Sequence, residues 1–231
     1  MIRGFSCPVP GVPSEEETVA KLAVIGANGT IGSRIVREAL DRGHSVTAVV
    51  RDASKIAADT DLSVVTGDVL NPSSVAEAAA GQDVLISAVG GGDDPGYAIE
   101  AAAKSLISGL RSLEPNAPRL ITVGGAGSLR VPGGKLVWDE EGLPDFLLQI
   151  MHAHGDALTY LRTVTDIRWT SLSPAQQIAP GERTGTYRTA TDDLVLDDAG
   201  NSTITAEDFA VALLDEVENP QHVGERFTVG Y

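Results

Sequence analysis

From Val19 onward, short apolar runs alternate with longer stretches in which apolar positions recur every three or four residues. That alternation is the pattern of repeated strand–helix–strand units around a parallel sheet. Ala20 to Ile25 predicts a first strand. Ile31, Ile35, Val36 and Leu40 then line one face of a helix from about Thr30 to Arg42, stopped by Gly43. Strands follow at Ser45 to Val50 and Ser63 to Thr66, with a short helix near Ala53 to Ala58 between them. Asn71 reads as the N-cap of a helix through Ala80, with Pro72 at its first position. Asp83 to Ala88 predicts the fourth strand, Pro95 to Leu113 a long helix, and Arg119 to Val123 the fifth strand.

The second half is less regular. Gly124 to Gly142 reads as a long loop, and loops of that length in compact domains are usually functional or disordered. A helix over Asp145 to Arg162 and a strand over Arg168 to Leu172 follow. Then come a polar loop with Gly181, Arg183, Gly185 and Tyr187, a hairpin around Leu194 to Thr203, a helix over Ala206 to Val217 and a last strand at Arg226 to Val229. Residues 1–18, with Pro8, Pro10, Pro13 and Glu15 to Glu17, have no period to bury and read as a flexible N-terminal extension. Residues 19–231 are expected to form one domain, with 174–204 as a substrate-side loop region.

Composition narrows the picture. Hydrophobic residues make up 42% of the 231 and aromatics only 4%, so Ala, Val, Leu and Ile must fill the interior. A formal charge of −15 repels nucleic-acid backbones and anionic membrane surfaces. Neither is expected as a partner. Cys7 is the only cysteine, which excludes an internal disulfide and a thiolate metal cluster. No apolar run approaches the ~20 residues of a membrane span, and a cytoplasmic protein is expected.

The most specific chemistry lies between the first strand and the first helix, at Gly26-Ala27-Asn28-Gly29-Thr30-Ile31-Gly32. Gly26 allows the tight turn, Gly29 a close backbone approach to a pyrophosphate, and Gly32 close packing of helix on strand, while the first helical N–H groups face the anion. The fold class expected is therefore α/β, a doubly wound Rossmann fold with a mostly parallel sheet and a small C-terminal substrate-side region. Arg51 ends the second strand, where a chain preferring NAD carries an acidic residue; arginine favours a 2′-phosphate, and Lys55 could add charge. NADPH is the cofactor expected, with NADH as the alternative. Asp52 could serve a ribose or cap the next helix. Asp68 and Val69 after the third strand, and Ala88, Val89 and Gly90 after the fourth, lie at carboxyl ends of strands, where ligands of open α/β sheets collect. Asp68 could accept from the adenine amino group or cap a helix.

Together GANGTIG, VVRD, GDV, SAVGGG, the block SLSPAQQIAPGERTGTYR and the ending ERFTVGY resemble the atypical short-chain dehydrogenase/reductases of the NmrA-like and NADH-flavin reductase-like group, the biliverdin reductase B type included. The likeness covers most of residues 20–231. It implies NAD(P)H binding on a Rossmann fold and, in active members, hydride transfer to flavins, quinones or other conjugated acceptors. It also implies that the turn with Ser173 and Pro174 borders the nicotinamide and that Gln176 to Tyr187 forms part of a substrate-covering loop, in which Arg183 and Tyr187 could contact the acceptor; the alternative for these two is a solvated loop with a packed tyrosine.

The usual tyrosine followed four positions later by lysine is absent: Tyr97, Tyr160 and Tyr187 are followed at that spacing by Ala101, Val164 and Thr191. Hydride transfer to an acceptor with suitable electronics needs little protein acid. His152 or His154 could donate a proton, since imidazole titrates near neutrality, and Ser128 could hydrogen-bond the acceptor. The two histidines, at i and i+2 of a helix, point apart and predict no metal site. Glu15 to Glu17 and Asp139 to Glu141 read as solvated charge. The function expected is an NAD(P)H-dependent reductase of a flavin, quinone or similar conjugated small molecule, acting as monomer or homodimer. The alternatives are a non-catalytic NADP-binding sensor and a redox-neutral epimerase on the same fold.

Overall fold

The computed structural model describes residues 19–56, 62–90 and 95–231. The N-terminal extension, the end of the short helix predicted to reach Ala58, and Gly91 and Gly92 of SAVGGG lie outside these residues.

The strands and helices follow the predicted order: β1 (Lys21–Ile25), α1 (Thr30–Asp41), β2 (Ser45–Val50), β3 (Leu62–Thr66), α2 (Pro72–Ala79), β4 (Val84–Ser87), α3 (Pro95–Arg111) and β5 (Arg119–Val123). After them come α4 (Asp145–Leu161), β6 (Trp169–Ser173), β7 (Gln177–Ala179), β8 (Arg188–Ala190), β9 (Thr203–Thr205), α5 (Ala206–Glu218) and β10 (Glu225–Gly230). One sheet of eight strands has the order β3-β2-β1-β4-β5-β6-β10-β8. Every pairing in it is parallel except β8 against β10. The order reverses direction between β1 and β4, which opens a crevice at their carboxyl ends.

Strand alternation sends side chains to the two faces in turn. Leu22 and Val24 of β1 join a core with Ile35 and Ala39 of α1 and Phe209 and Leu213 of α5. Ala23 and Ile25 join the opposite core with Val75 of α2, Leu106 and Ile107 of α3 and Leu158 of α4. Each fully buried Leu, Ile or Phe contributes about 1.5–3 kcal/mol, so both layers hold β1 and with it the turn that follows. At the amino end of β5, buried Arg119 donates to Glu216 Oε1 at 3.1 Å, tying the sheet to the end of α5.

Two expectations need correction. The hairpin around Leu194 to Thr203 does not form: β9 pairs in parallel with β7, and the intervening turn is closed by Ala199 and Asn201 N–H groups donating to Asp197 Oδ1 at 2.9 and 2.8 Å. A period of two marks which face a strand buries and says nothing about its partner. The long loop after β5 is packed. It carries a 3₁₀ turn at Val137–Asp139 and a small core of Leu129, Val137, Met151 and Leu194.

Candidate active site

The glycine motif forms the turn from β1 into α1. Gly26 has φ +82°, a conformation that L side chains rarely adopt, and a Cβ there would lie 2.6 Å from Ala88 O. A Cβ on Gly32 would lie 2.1 Å from Gly26 O, so only glycine permits this closeness of helix and turn. Gly29, the N-cap, has no side chain to satisfy the first helical donors, and no acidic residue occupies the first turn. Ser33 N–H is the first to find a helical partner, Gly29 O at 2.9 Å. The N–H groups of Thr30, Ile31 and Gly32 are thus available to an anion at the positive end of a 12-residue helix. The cradle opens on the crevice between β1 and β4, and Ala88 and Val89 form its other wall.

On the β2 side Arg51 is exposed and makes no ion pair with a described residue. Asp52 resolves toward capping: its Oδ1 accepts from Ser54 N–H at 3.1 Å and Ser54 Oγ at 2.7 Å, which hold its carboxyl below the usual range. Asp68 Oδ1 accepts from Leu70 N–H at 2.9 Å, closing the turn before Asn71, the N-cap that accepts from Ser73 N–H. Its second carboxylate oxygen has no described partner. Val69 packs against the core between them.

On the other side, the carboxyl ends of β4, β5 and β6 meet α4 around His154. Beneath α3 and α4, a cavity of about 30 Å³ is lined mostly by apolar side chains, Ile99, Ala102, Ala103, Leu106, Ala157, Leu158 and Leu161 among them, with Ser87, Thr122, Ser171 and His154 as its polar members; it has room for roughly one or two water molecules. The hydroxyls crowd Gly124: a Cβ there would lie 2.9 Å from Ser171 Oγ and 3.2 Å from Ser173 Oγ. His154 takes the space a side chain at 125 would need, since a Cβ on Gly125 would lie 2.8 Å from its own Cβ. Burial pushes its imidazole down to about 4. The expectation that this histidine titrates near neutrality is therefore corrected, and near neutral pH it is an uncharged N–H donor.

Four other predicted site residues lie elsewhere. His152 is exposed and stacks on Trp138, with ring centroids 4.7 Å apart, because it stands two positions from His154 and faces away. Ser128 Oγ accepts from Arg226 Nη1 at 3.1 Å, and Arg226 is itself paired with Asp192. Arg183 forms a bidentate pair with buried Glu38 of α1 at 2.7 and 2.8 Å. Tyr187 donates its hydroxyl to Asp215 of α5. The segment between β7 and β8 is tied to the first turn of α5: Gly181 N–H donates to Glu207 at 2.7 Å, and Thr184 and Gly185 N–H donate to Asp208 at 2.8 and 2.7 Å. Two carboxylates in the first turn of α5 pull it over that helix.

The model of the family described as NAD(P)H-binding matches residues 26–220, a span that starts at the cradle and ends beyond α5. The chain belongs to this NAD(P)H-binding family, as an atypical short-chain dehydrogenase/reductase. Among solved structures it is similar to a candidate exported protein of Burkholderia pseudomallei, 44% identical, with TM-score 0.83 over 92% of this chain and 100% of that one. A candidate epimerase of Bacteroides thetaiotaomicron is 39% identical, with TM-score 0.83 over 93% and 98% of the two chains. A candidate NADH-flavin reductase of Streptococcus pneumoniae is 33% identical, with TM-score 0.78 over 91% and 99%.

Two acidic residues of this NAD(P)H-binding protein that the sequence read as solvated charge, Asp139 and Glu140, have partners. Gln176, just beyond Pro174, donates Nε2 to Glu140 Oε2 at 2.9 Å, joining the loop after β5 to the turn after β6. Asp139 accepts from Leu136 N–H at 3.1 Å. Two of the three carboxylates read as solvated charge thus have structural partners. The only available signal was that they fall inside a loop too long to be an idle connection. No helix among the described residues is long and apolar enough to cross a membrane, and no three of their His, Cys, Asp or Glu side chains gather as a metal site requires.

Proposed function

We propose that this protein is an NAD(P)H-dependent reductase that passes hydride to a flavin, quinone or similar conjugated small molecule, with NADPH as its preferred cofactor. The observation that carries the reading is that the glycine cradle and a largely buried, uncharged histidine packed on Gly125 both lie at the carboxyl ends of the central strands. The cradle fits a dinucleotide because glycine at 26 and 32 lets strand, turn and helix close on one another while the N–H groups at the start of α1 face an anion. Similarity to a candidate NADH-flavin reductase supports the choice of chemistry.

In this reading the N–H groups of Thr30, Ile31 and Gly32, with Asn28 and Gly29 beside them, hold the pyrophosphate. Arg51 pairs with the 2′-phosphate through its planar fork. Asp68 and Val69 border the adenine, and Ala88, Val89, Gly90, Ser173 and Pro174 line the path to the nicotinamide. A reduced nicotinamide supplies the hydride when bound. His154 donates its N–H to the acceptor atom on which negative charge builds, and its closed surroundings keep that bond strong by excluding water. No tyrosine and lysine pair is required, which suits an acceptor whose own conjugation spreads the incoming charge.

The test is loss of reduced-nicotinamide absorbance on adding flavins and quinones to protein saturated with NADPH. Acceptor-dependent oxidation is expected. Tight NADPH binding with no oxidation by any acceptor would favour a dinucleotide sensor and contradict the reading.

A further inference from the structure

Ser87 pairs in register with Thr122 across β4 and β5, and Thr122 with Ser171 across β5 and β6. Side chains in register on neighbouring parallel strands leave the sheet on one face. Here it is the face on which Leu85, Leu120 and Trp169, two positions earlier in each strand, join the core under α3 and α4. The three hydroxyls thus form a row across the middle of the sheet, one step beyond an apolar row, and His154 of α4 lines the same cavity. We propose that this row binds water in that cavity, and that the bound water fixes the tautomer of His154, making Ser87, Thr122 and Ser171 positioning residues. The water site stands on its own geometry; its part in the reaction rests on the reductase reading above.

All three hydroxyl residues are buried, and a buried hydroxyl is costly unless it is hydrogen-bonded. Thr122 Oγ1 lies 3.5 Å from Thr170 O, a weak contact. Among the described residues Ser87 Oγ and Ser171 Oγ have no partner, yet they are not sealed off as the unpartnered Ser105 hydroxyl is; both residues border the cavity. Neighbouring strands stand about 4.8 Å apart. Hydroxyls held in parallel at that spacing are too far apart to bond directly, whereas two bonds of about 2.8 Å to a shared water span it. The cavity, about 30 Å³, has the room, and the row with His154 supplies the several polar partners that a buried water needs. Leu106, Leu158 and Leu161 close the rest of the lining with apolar surface. The His154 ring lies with its Cγ–Cδ2 edge toward Gly125, so packing sets where it sits. Packing does not choose which nitrogen carries the proton. A neutral imidazole has one N–H and one bare nitrogen, and the partner of one decides the state of the other. Water donating to the bare nitrogen therefore keeps the N–H on the nitrogen that faces the acceptor. Water held this way belongs to the fixed polar surroundings of the ring, unlike bulk solvent.

The test uses the full-length protein. A high-resolution crystal structure is expected to show ordered water within hydrogen-bond distance of the hydroxyl row and of a His154 ring nitrogen. Imidazole ¹⁵N chemical shifts, which report the tautomer, are expected to show a single form in the wild type. Thr122→Val combined with Ser171→Ala removes two hydroxyls with little change of shape. It should give a mixture of tautomers and a severalfold lower kcat, with KM for the acceptor and Kd for NADPH unchanged. Returning a hydroxyl with Thr122→Ser in the Ser171→Ala background should restore the single tautomer, which a merely structural role for the row would not require. A wild-type map without water at the row, or a tautomer ratio unmoved by loss of both hydroxyls, would overturn the proposal whatever the protein does with acceptors. Bound water and a single tautomer with no oxidation of NADPH by flavins or quinones would instead leave the water site standing and overturn the reductase reading.

Discussion

His154 occupies the space above Gly125 so fully that a Cβ at 125 would lie 2.8 Å from the histidine Cβ. Contacts under 3.0 Å are not tolerated by real Cβ atoms, so Gly125→Ala must push α4 or the imidazole away. Loss of one aligned donor at the reacting centre costs about 100-fold in kcat. The expected outcome is a fall of that order with Kd for NADPH unchanged, measured by steady-state kinetics beside fluorescence titration.

The depressed pKa of His154 has a thermodynamic consequence. Folding lowers it from 6.5 to about 4. Between those values the unfolded chain binds the proton and the folded chain does not, so stability rises with pH. The contribution is complete above about pH 6.5 and is lost as pH falls toward about 4; its ceiling is roughly 3 kcal/mol, less for the part of the ring that solvent reaches. Urea unfolding of His154→Asn should show a shallower decline than the wild type across that window. Equal slopes would place the proton elsewhere. The carboxyl of Glu38, held below its usual range first by Arg183 and then by Arg42, adds its own loss only at lower pH.

Arg51→Ala should weaken NADPH while leaving NADH nearly untouched. Charge-assisted hydrogen bonds contribute about 1.5–3 kcal/mol, roughly 10- to 150-fold in Kd. Titration with both cofactors measures the ratio, and a parallel loss of the two would mean that Arg51 reads something other than the 2′-phosphate.

Arg183→Ala separates a structural role from contact with the acceptor. Its guanidinium lies on Glu38, with Arg42 still paired to the same carboxylate. A half-exposed pair of this kind contributes about 1 kcal/mol. The variant should therefore melt slightly earlier and keep its KM for acceptors. A severalfold rise in KM at unchanged melting temperature would return Arg183 to the site.

The first half of the fold was legible because its signals are local. Val24, Ile25 and Gly26 announce a buried strand and its turn within a few residues, and Asn71 with Pro72 announces a helix start. The second half depends on partners far along the chain. Arg183 meets Glu38 across 145 positions and Tyr187 meets Asp215 across 28. A sequence containing ERTGTYR cannot say which carboxylate will hold it, and the resemblance placed that segment over the substrate. His154 was legible as a candidate but could not be separated from His152, because the separation comes from packing: one ring packs on Gly125 and lines the cavity under α3 and α4, and the other stacks on Trp138.

The central claim is hydride transfer at the cradle assisted by His154. The most direct measurement is an anaerobic single turnover in which protein holding one equivalent of NADPH is mixed with riboflavin. Absorbance at the reduced-nicotinamide and flavin bands is followed in the wild type, His154→Ala and Gly32→Val. The account predicts coupled loss of both bands in the wild type, a rate lowered about 100-fold in His154→Ala, and no bound NADPH in Gly32→Val, where the new Cβ would meet Gly26 O at 2.1 Å. Bound NADPH whose absorbance stays unchanged in the wild type, or equal rates with and without His154, would contradict it.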